Sequence, residues 1–296
     1  MSFTTRFAPS PTGPLHLGHA YSALLAYDMA QAANGTFLLR IEDIDQSRAR
    51  PEWEAQIYED LRWLGITWDD PVMRQSDRLS SYKTALHDLW NTDALFACTC
   101  SRRDIAEAAS APQEGGAPLI GPDGLVYPGT CRTNGRSSGV NPLPENAALR
   151  LSMNYAATTT ATPRIGGGVF SFTETGMGPN GETGLIEFPA QAAVAHIGDV
   201  VLARRDMGTS YHLSVVLDDA AQGVSHVVRG ADLFEATKIH VILQRLLGLS
   251  TPTYHHHALI RDDGGKRLAK RDDARAISLY RREGASPSDI RAMVGL

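Results

Sequence analysis

Pro9-Ser10-Pro11-Thr12-Gly13-Pro14-Leu15-His16-Leu17-Gly18-His19 is the stretch that decides how this chain is read. Ahead of it, Thr4 to Ala8 reads as a short strand. Behind it, a helix is expected from Leu17 to Ala33, stopped by Asn34-Gly35. In a doubly wound sheet such a junction lies at the carboxyl edge of the strands, where ligands bind. Gly18 lets a nucleotide approach the backbone, and a helix start offers free N–H groups and positive dipole to phosphates. His16 and His19 can donate hydrogen bonds to phosphoryl oxygens as negative charge builds up. A bare H-x-x-H also fits two surface histidines, or a zinc pair, although no Glu follows His16 as on a metalloprotease helix. The position after a first strand, with its Pro/Gly-rich lead-in, favours phosphate.

Working outward, Thr36 to Ile41 is a second apolar strand, and Pro51 opens a helix marked by Trp53, Ile57, Leu61 and Leu64. Leu79, Tyr82, Leu86 and Leu89 mark another. Strand, helix, strand, helix predicts an α/β fold with a parallel sheet. From about 96 to 190 the chain turns rich in Gly, Pro, Ser and Thr, which reads as an inserted, mainly β module. From Asp199 the α/β pattern resumes, with strands at 200–203 and 224–228 and helices at 211–221 and 232–247. A strand over 254–260 follows, then a basic loop and helices, the last opened by Ser286-Pro287 with Asp289 completing a capping box. The triplet His255-His256-His257 reads as a strand packed on both sides.

At 296 residues the chain has room for about two domains. Apolar residues at 43% and charged residues at 21% exclude disorder and coiled coil. The formal charge of -5 excludes a blanket polycation, but not a local basic face. The N-terminus has no signal-peptide h-region, and no apolar run approaches the roughly 18 residues of a membrane span, so a cytoplasmic location with no membrane partner is expected. Cys98, Cys100 and Cys131 are too few for a disulfide scaffold; two thiols one residue apart, with a third downstream, suggest a metal site short of one ligand. Late in the chain, Gly264-Gly265-Lys266-Arg267-Leu268-Ala269-Lys270-Arg271 sets four cations behind a flexible pair. Seen alone, such a loop is a solvated surface. Residues 255–296 nevertheless carry nine Lys/Arg against six Asp/Glu, which suits a polyanion.

Together these segments resemble the paired signatures of class I aminoacyl-tRNA synthetases, the HIGH motif at His16-Leu17-Gly18-His19 and the KMSKS loop at Arg267-Leu268-Ala269-Lys270-Arg271. Arg6-Phe7-Ala8-Pro9-Ser10-Pro11-Thr12-Gly13 is similar to the opening of glutamyl- and glutaminyl-type members. So are Leu39-Arg40-Ile41-Glu42-Asp43-Ile44-Asp45, Tyr211-His212-Leu213 with Asp218-Asp219, and Val228-Arg229-Gly230. The chain stops soon after the KMSKS-like loop, so it resembles the short paralogue family, the glutamyl-queuosine tRNA(Asp) synthetases.

That resemblance implies a Rossmann-like catalytic sheet in two halves, 1–95 and 199–250, split by a zinc-bearing insertion at 96–198, with the KMSKS-like loop and a short helical segment at 251–296. It implies ATP-dependent activation of L-glutamate without tRNA, then transfer to queuosine in the anticodon loop of tRNA(Asp). His16, His19 and Lys270 are expected on the phosphates with Mg²⁺, and Gly18 and Arg267 beside them at the ATP. Glutamate carries two carboxylates and an ammonium, so its pocket needs two cations and an anion. Arg6 and Arg229 fit as clamps, Glu42 as the ammonium partner and Tyr211 as a hydroxyl donor, with Phe7, Ala8, Pro9 and Ser10 lining the pocket. The family's short members also imply Cys98, Cys100, Tyr127 and Cys131 as a closed, structural Zn²⁺ site. A monomer is expected. Departures are Arg267 and Ala269 in the loop, and Val215 where full-length enzymes carry an Asn, which predicts weaker glutamate binding. The rival readings are a truncated glutamyl-tRNA synthetase acting on tRNA(Glu), a small-molecule adenylyltransferase, and a non-catalytic RNA-binding paralogue.

Overall fold

Strand β1 (Thr4–Phe7) is buried at all four positions, as a strand covered on both faces of a parallel sheet must be. The computed structural model describes residues 2–69, 71–110, 118–132, 142–165, 167–261 and 275–296. Strand β2 (Thr36–Ile41) pairs parallel with β1, setting Arg6 opposite Leu38, and β3 (Met73–Arg74) continues the sheet from β2. Helix α1 (Leu17–Ala32) makes the first crossover, α2 (Pro51–Trp63) begins on its proline, and α3 (Leu79–Asn91) follows.

The middle of the chain holds β4 (Leu95–Cys98), α4 (Arg102–Ser110), a small hairpin of β5 (Ile120–Gly121) and β6 (Gly124–Leu125), β7 (Ala148–Leu151) and α5 (Met153–Thr160). Strands β8 (Val169–Glu174) and β9 (Gly184–Pro189) lead into α6 (Ala190–Ala192), a wide turn, and β10 (Val201–Ala203). Three of these elements are helices in a stretch expected to be mainly β. In α5, Ser152 accepts the Tyr155 N–H, and the hydroxyls of Thr158, Thr159 and Thr160 donate to carbonyls four residues back. The polar run thus satisfies itself, while Met153, Ala156 and Ala157 face the core. Strand β10 pairs antiparallel with β7, which pairs antiparallel with β4, so residues 200–203 do not resume a parallel sheet.

The parallel pattern returns after α7 (Tyr211–Ala221), with β11 (His226–Gly230), α8 (Phe234–Leu246) and β12 (Thr253–His257). Strand β11 starts two residues later than the alternation predicts, because the Val224 N–H still closes the end of α7 on the Asp219 carbonyl. The sheet order is β11-β12-β8-β9, and Tyr254 opposite Glu174 joins β8 parallel to β12. Strand β1 runs beside β11, where the Ser225 N–H donates to the Thr4 carbonyl at 3.0 Å. The chain closes with α9 (Ile277–Arg282) and α10 (Pro287–Val294), the latter started by the expected Ser286/Asp289 capping box. Ile277 and Ile290 bury their side chains against the core of α1, α2 and the first sheet. Among the described residues no helix is long and apolar enough to cross a membrane.

Candidate active site

The carboxyl ends of β1, β11 and β12 open onto a cavity of about 330 Å³. Arg6, Phe7, Ala8, His16, Gly18, His19, Glu42, Tyr211 and Arg229 all line it, so residues from five separate motifs meet in one place. Pro9 and Ser10 do not line it. The Pro9 carbonyl accepts the Glu42 N–H at 3.0 Å, fixing that side chain's base, and the Ser10 carbonyl accepts the Thr12 N–H in the turn. Arg267 and Lys270 lie outside the described residues. The flanks of their segment do reach the cavity, since Leu259 and Ile260 line it and Ala276 bridges His16.

The two histidines start α1 as a reciprocal cap. The Gly18 N–H donates to His16 Nδ1 at 3.1 Å, and the His16 N–H donates to His19 Nδ1 at 3.2 Å. Both inner ring nitrogens are acceptors, so each neutral ring carries its proton on Nε2, the outer donor that a phosphate needs. Gly18 makes this possible, because a Cβ there would stand 3.1 Å from His16 Cε1.

Next to the histidines lies a buried chain of alternating charges. Arg6 donates from Nε to Asp219 at 2.9 Å, and Arg40 donates to Asp219 at 2.7 Å and to Glu42 at 3.1 Å. Burial opposes ionisation of Asp219, but the hydrogen-bonded Arg6 and Arg40 outweigh it and hold the carboxyl below its usual range. Burial wins at Glu42 and pushes its carboxyl up despite Arg40 and Arg6. An ammonium arriving there would relieve that cost. Burial likewise raises the Tyr211 phenol, keeping it a neutral donor. Arg229 differs from Arg6. It donates to His256 Nε2 at 3.1 Å, His240 Nδ1 at 3.1 Å and Thr237 Oγ1 at 2.6 Å, and among the described residues it pairs with no carboxylate.

Sequence reasoning gave no role to Arg40, Asp219, Ser22 or His257. Arg40 is a fully buried cation inside an apolar strand, and Asp219 an acid on the buried face of α7. A charge at a core position was the available signal. Within the histidine triplet, His256 and His257 are buried, as packing on both sides implies, but His257 also lines the cavity, hydrogen-bonded to Ser22 at 2.8 Å. Val215 is buried in the core and does not line the cavity, so the missing amide there is not a gap in its wall.

A second site holds Cys98, Cys100 and Cys131, whose Sγ atoms lie within 4.8 Å of one another. The Tyr127 hydroxyl sits 3.5 Å from Cys98 Sγ and 3.7 Å from Cys100 Sγ. Four ligands held about 2.3 Å from a zinc ion would be spaced in this way, so the donor set fits structural Zn²⁺. Burial raises the Cys100 thiol to about 11; it also opposes the Cys131 thiolate, but the Tyr127 hydroxyl and the Thr99 N–H outweigh it and bring that thiol down to about 7.

Over residues 2–119 and 181–296 the chain matches the class I tRNA synthetases (E and Q), catalytic domain, and it belongs to that family of ligases. The glutamyl-Q tRNA(Asp) synthetase of Rhodobacter capsulatus is 66% identical over 292 residues, covering 99% of each chain. That of Geobacter sulfurreducens is 40% identical over 283 residues, covering 94% of this chain and 80% of its own. Within the family, then, the chain groups with the glutamyl-Q tRNA(Asp) synthetases. A crystal structure of a glutamate tRNA ligase from Elizabethkingia meningosepticum in complex with its amino acid superposes with a TM-score of 0.74 at 25% identity. It covers all of this chain, which spans 61% of that longer enzyme.

Proposed function

We propose that the chain activates L-glutamate with ATP, without tRNA, and transfers the glutamyl group to queuosine in the anticodon loop of tRNA(Asp). The observation that carries the proposal is the charge pattern of the cavity. Arg229, Arg6 and Glu42 offer two cations and one anion around a space that also receives two Nε2–H imidazoles. That pattern complements a dicarboxylic amino acid beside a phosphate chain.

In this reading a glutamate α-carboxylate oxygen attacks the α-phosphorus, forming the acyl phosphate bond as the bond to pyrophosphate breaks. The protein works by positioning and charge stabilisation. Arg6 and Arg229 bind the two carboxylates, Glu42 the ammonium, and Tyr211 donates a hydroxyl. Gly18 leaves room for the nucleotide, and His16 and His19 donate to phosphoryl oxygens. Arg267 and Lys270 add cations from their segment, and Mg²⁺ accompanying ATP would supply further neutralisation of the phosphate charge. In the second step the queuosine takes the acyl group and AMP leaves. Zn²⁺ on Cys98, Cys100, Tyr127 and Cys131 has a structural role, since four protein ligands leave no open position.

The test is ATP–pyrophosphate exchange with glutamate in the absence of tRNA, followed by charging of tRNA(Asp) with and without queuosine and of tRNA(Glu). Tight dependence on queuosine is expected. Glutamate on the 3′ end of tRNA(Glu) would overturn the acceptor assignment, and no exchange in metal-replete protein would overturn the activity.

A further inference from the structure

The hydrogen bonds that hold Arg229 continue beyond it along two branches. Arginine only donates, so His240 Nδ1, facing Arg229 Nη1 at 3.1 Å, is an acceptor. The proton of a neutral His240 is then on Nε2, which donates to His212 Nδ1 at 3.1 Å. His212 in turn donates from its own Nε2 to Asp123 Oδ1 at 3.3 Å, on the turn between β5 and β6. The line runs from guanidinium through two imidazoles to a carboxylate. His256 forms the other branch in the opposite tautomer, accepting from Arg229 at Nε2 and donating from Nδ1 to Glu174 at 2.5 Å.

We propose that His240 and His212 form a positioning relay that fixes Arg229 for an acidic amino acid while leaving the guanidinium charge free for the substrate carboxylate. A carboxylate bonded to Arg229 alone would orient the side chain but neutralise it, whereas Arg6 shares Asp219 with Arg40 and keeps part of its charge. Imidazole acceptors orient Arg229 without neutralising it. Three of its five N–H donors are used, which leaves one on each terminal nitrogen for a ligand. Burial, helped by the nearby charge of Arg229, lowers His240 well below the usual imidazole value and so keeps it an acceptor. The His240 ring also meets Tyr211 edge-on at 5.6 Å, so one side chain steadies two walls of the cavity. The role in amino-acid selection rests on the glutamate reading above; the relay geometry does not.

The test compares the full-length wild type with His240→Leu and His240→Asn, the latter keeping an acceptor near the Nδ1 position. In pyrophosphate exchange, the leucine variant is expected to raise the KM for glutamate by about tenfold or more, the cost of losing one buried partner. The KM for ATP should hold, and the asparagine variant should recover most of the loss. Long-range ¹H–¹⁵N NMR of the wild type should show His240 and His212 as neutral Nε2–H rings and His256 as Nδ1–H. An unchanged glutamate KM in folded His240→Leu, or equal rises in both KM values without asparagine rescue, would overturn the positioning role. Charged rings or other tautomers would overturn the relay itself, whatever the fold of the variants. Absence of glutamate-dependent exchange in the wild type would instead refute the substrate reading, with the NMR result standing apart.

Discussion

Replacing Asp219 with Asn keeps the shape of the side chain and removes the charge on which two arginines converge. Asp219 accepts from Arg6 Nε at 2.9 Å, Arg6 Nη2 at 3.4 Å and Arg40 Nη1 at 2.7 Å, all within the protein interior. Breaking a buried ion pair on one side costs about 3–5 kcal/mol, because the partner charge is left uncompensated. Arg40 retains Glu42 and Gln222, which places the loss at the lower end. At about 2 °C per kcal/mol for a chain of this size, a loss of about 3 kcal/mol lowers Tm by about 6 °C. Thermal melts followed by circular dichroism measure it directly. The pH dependence gives a second check with a defined sign. The folded carboxyl lies below its unfolded value, so its contribution is complete above the ordinary value of 3.8 and fades as pH falls through the folded one. The gap between wild type and Asp219→Asn should therefore be constant from neutral pH downward and shrink only in strong acid. A Tm change under about 2 °C at pH 7, or a gap that widens in acid, would refute the reasoning.

Three further outcomes are expected. Glu42→Gln should raise the KM for glutamate by about tenfold or more without lowering Tm, because burial makes the ionised carboxyl costly to the empty fold; a substrate affinity equal to wild type would remove Glu42 from the ammonium site. His19→Ala should cut pyrophosphate exchange by about 100-fold or more, and lower stability by only about 1 kcal/mol through the lost bond from the His16 N–H, read by kinetics and urea unfolding together. Elemental analysis should find one zinc per chain, lost in Cys131→Ser together with thermal stability; full stability of the metal-free variant would argue against a structural ion.

Legibility in the sequence tracked how local the governing interaction is. The Ser286/Asp289 capping box, the proline start of α2 and the strand-turn-helix around His16 depend on neighbours within four residues, and the structure has all three. Helix α5 was hidden, since a Thr-rich segment looks like a loop until its hydroxyls are seen bonded inside the helix. The antiparallel pairing of β10 was hidden as well, because strand direction is decided by a partner about 50 residues away. In the cavity, the motifs named most of the side chains that line it. They contained Asp219 and Arg40 as well but gave neither a role, because the bond that joins them spans 179 positions of sequence.

The way the imidazoles are stored has one last consequence. Of ten histidines, His226, His240, His255, His256 and His257 all sit where burial lowers their pKa. Mild acidification therefore adds less positive charge to the native molecule at these five positions than it would to free imidazoles. For these five the proton uptake appears chiefly in the denatured ensemble, whose imidazoles charge as pH drops below about 6.5, drawing the equilibrium toward it.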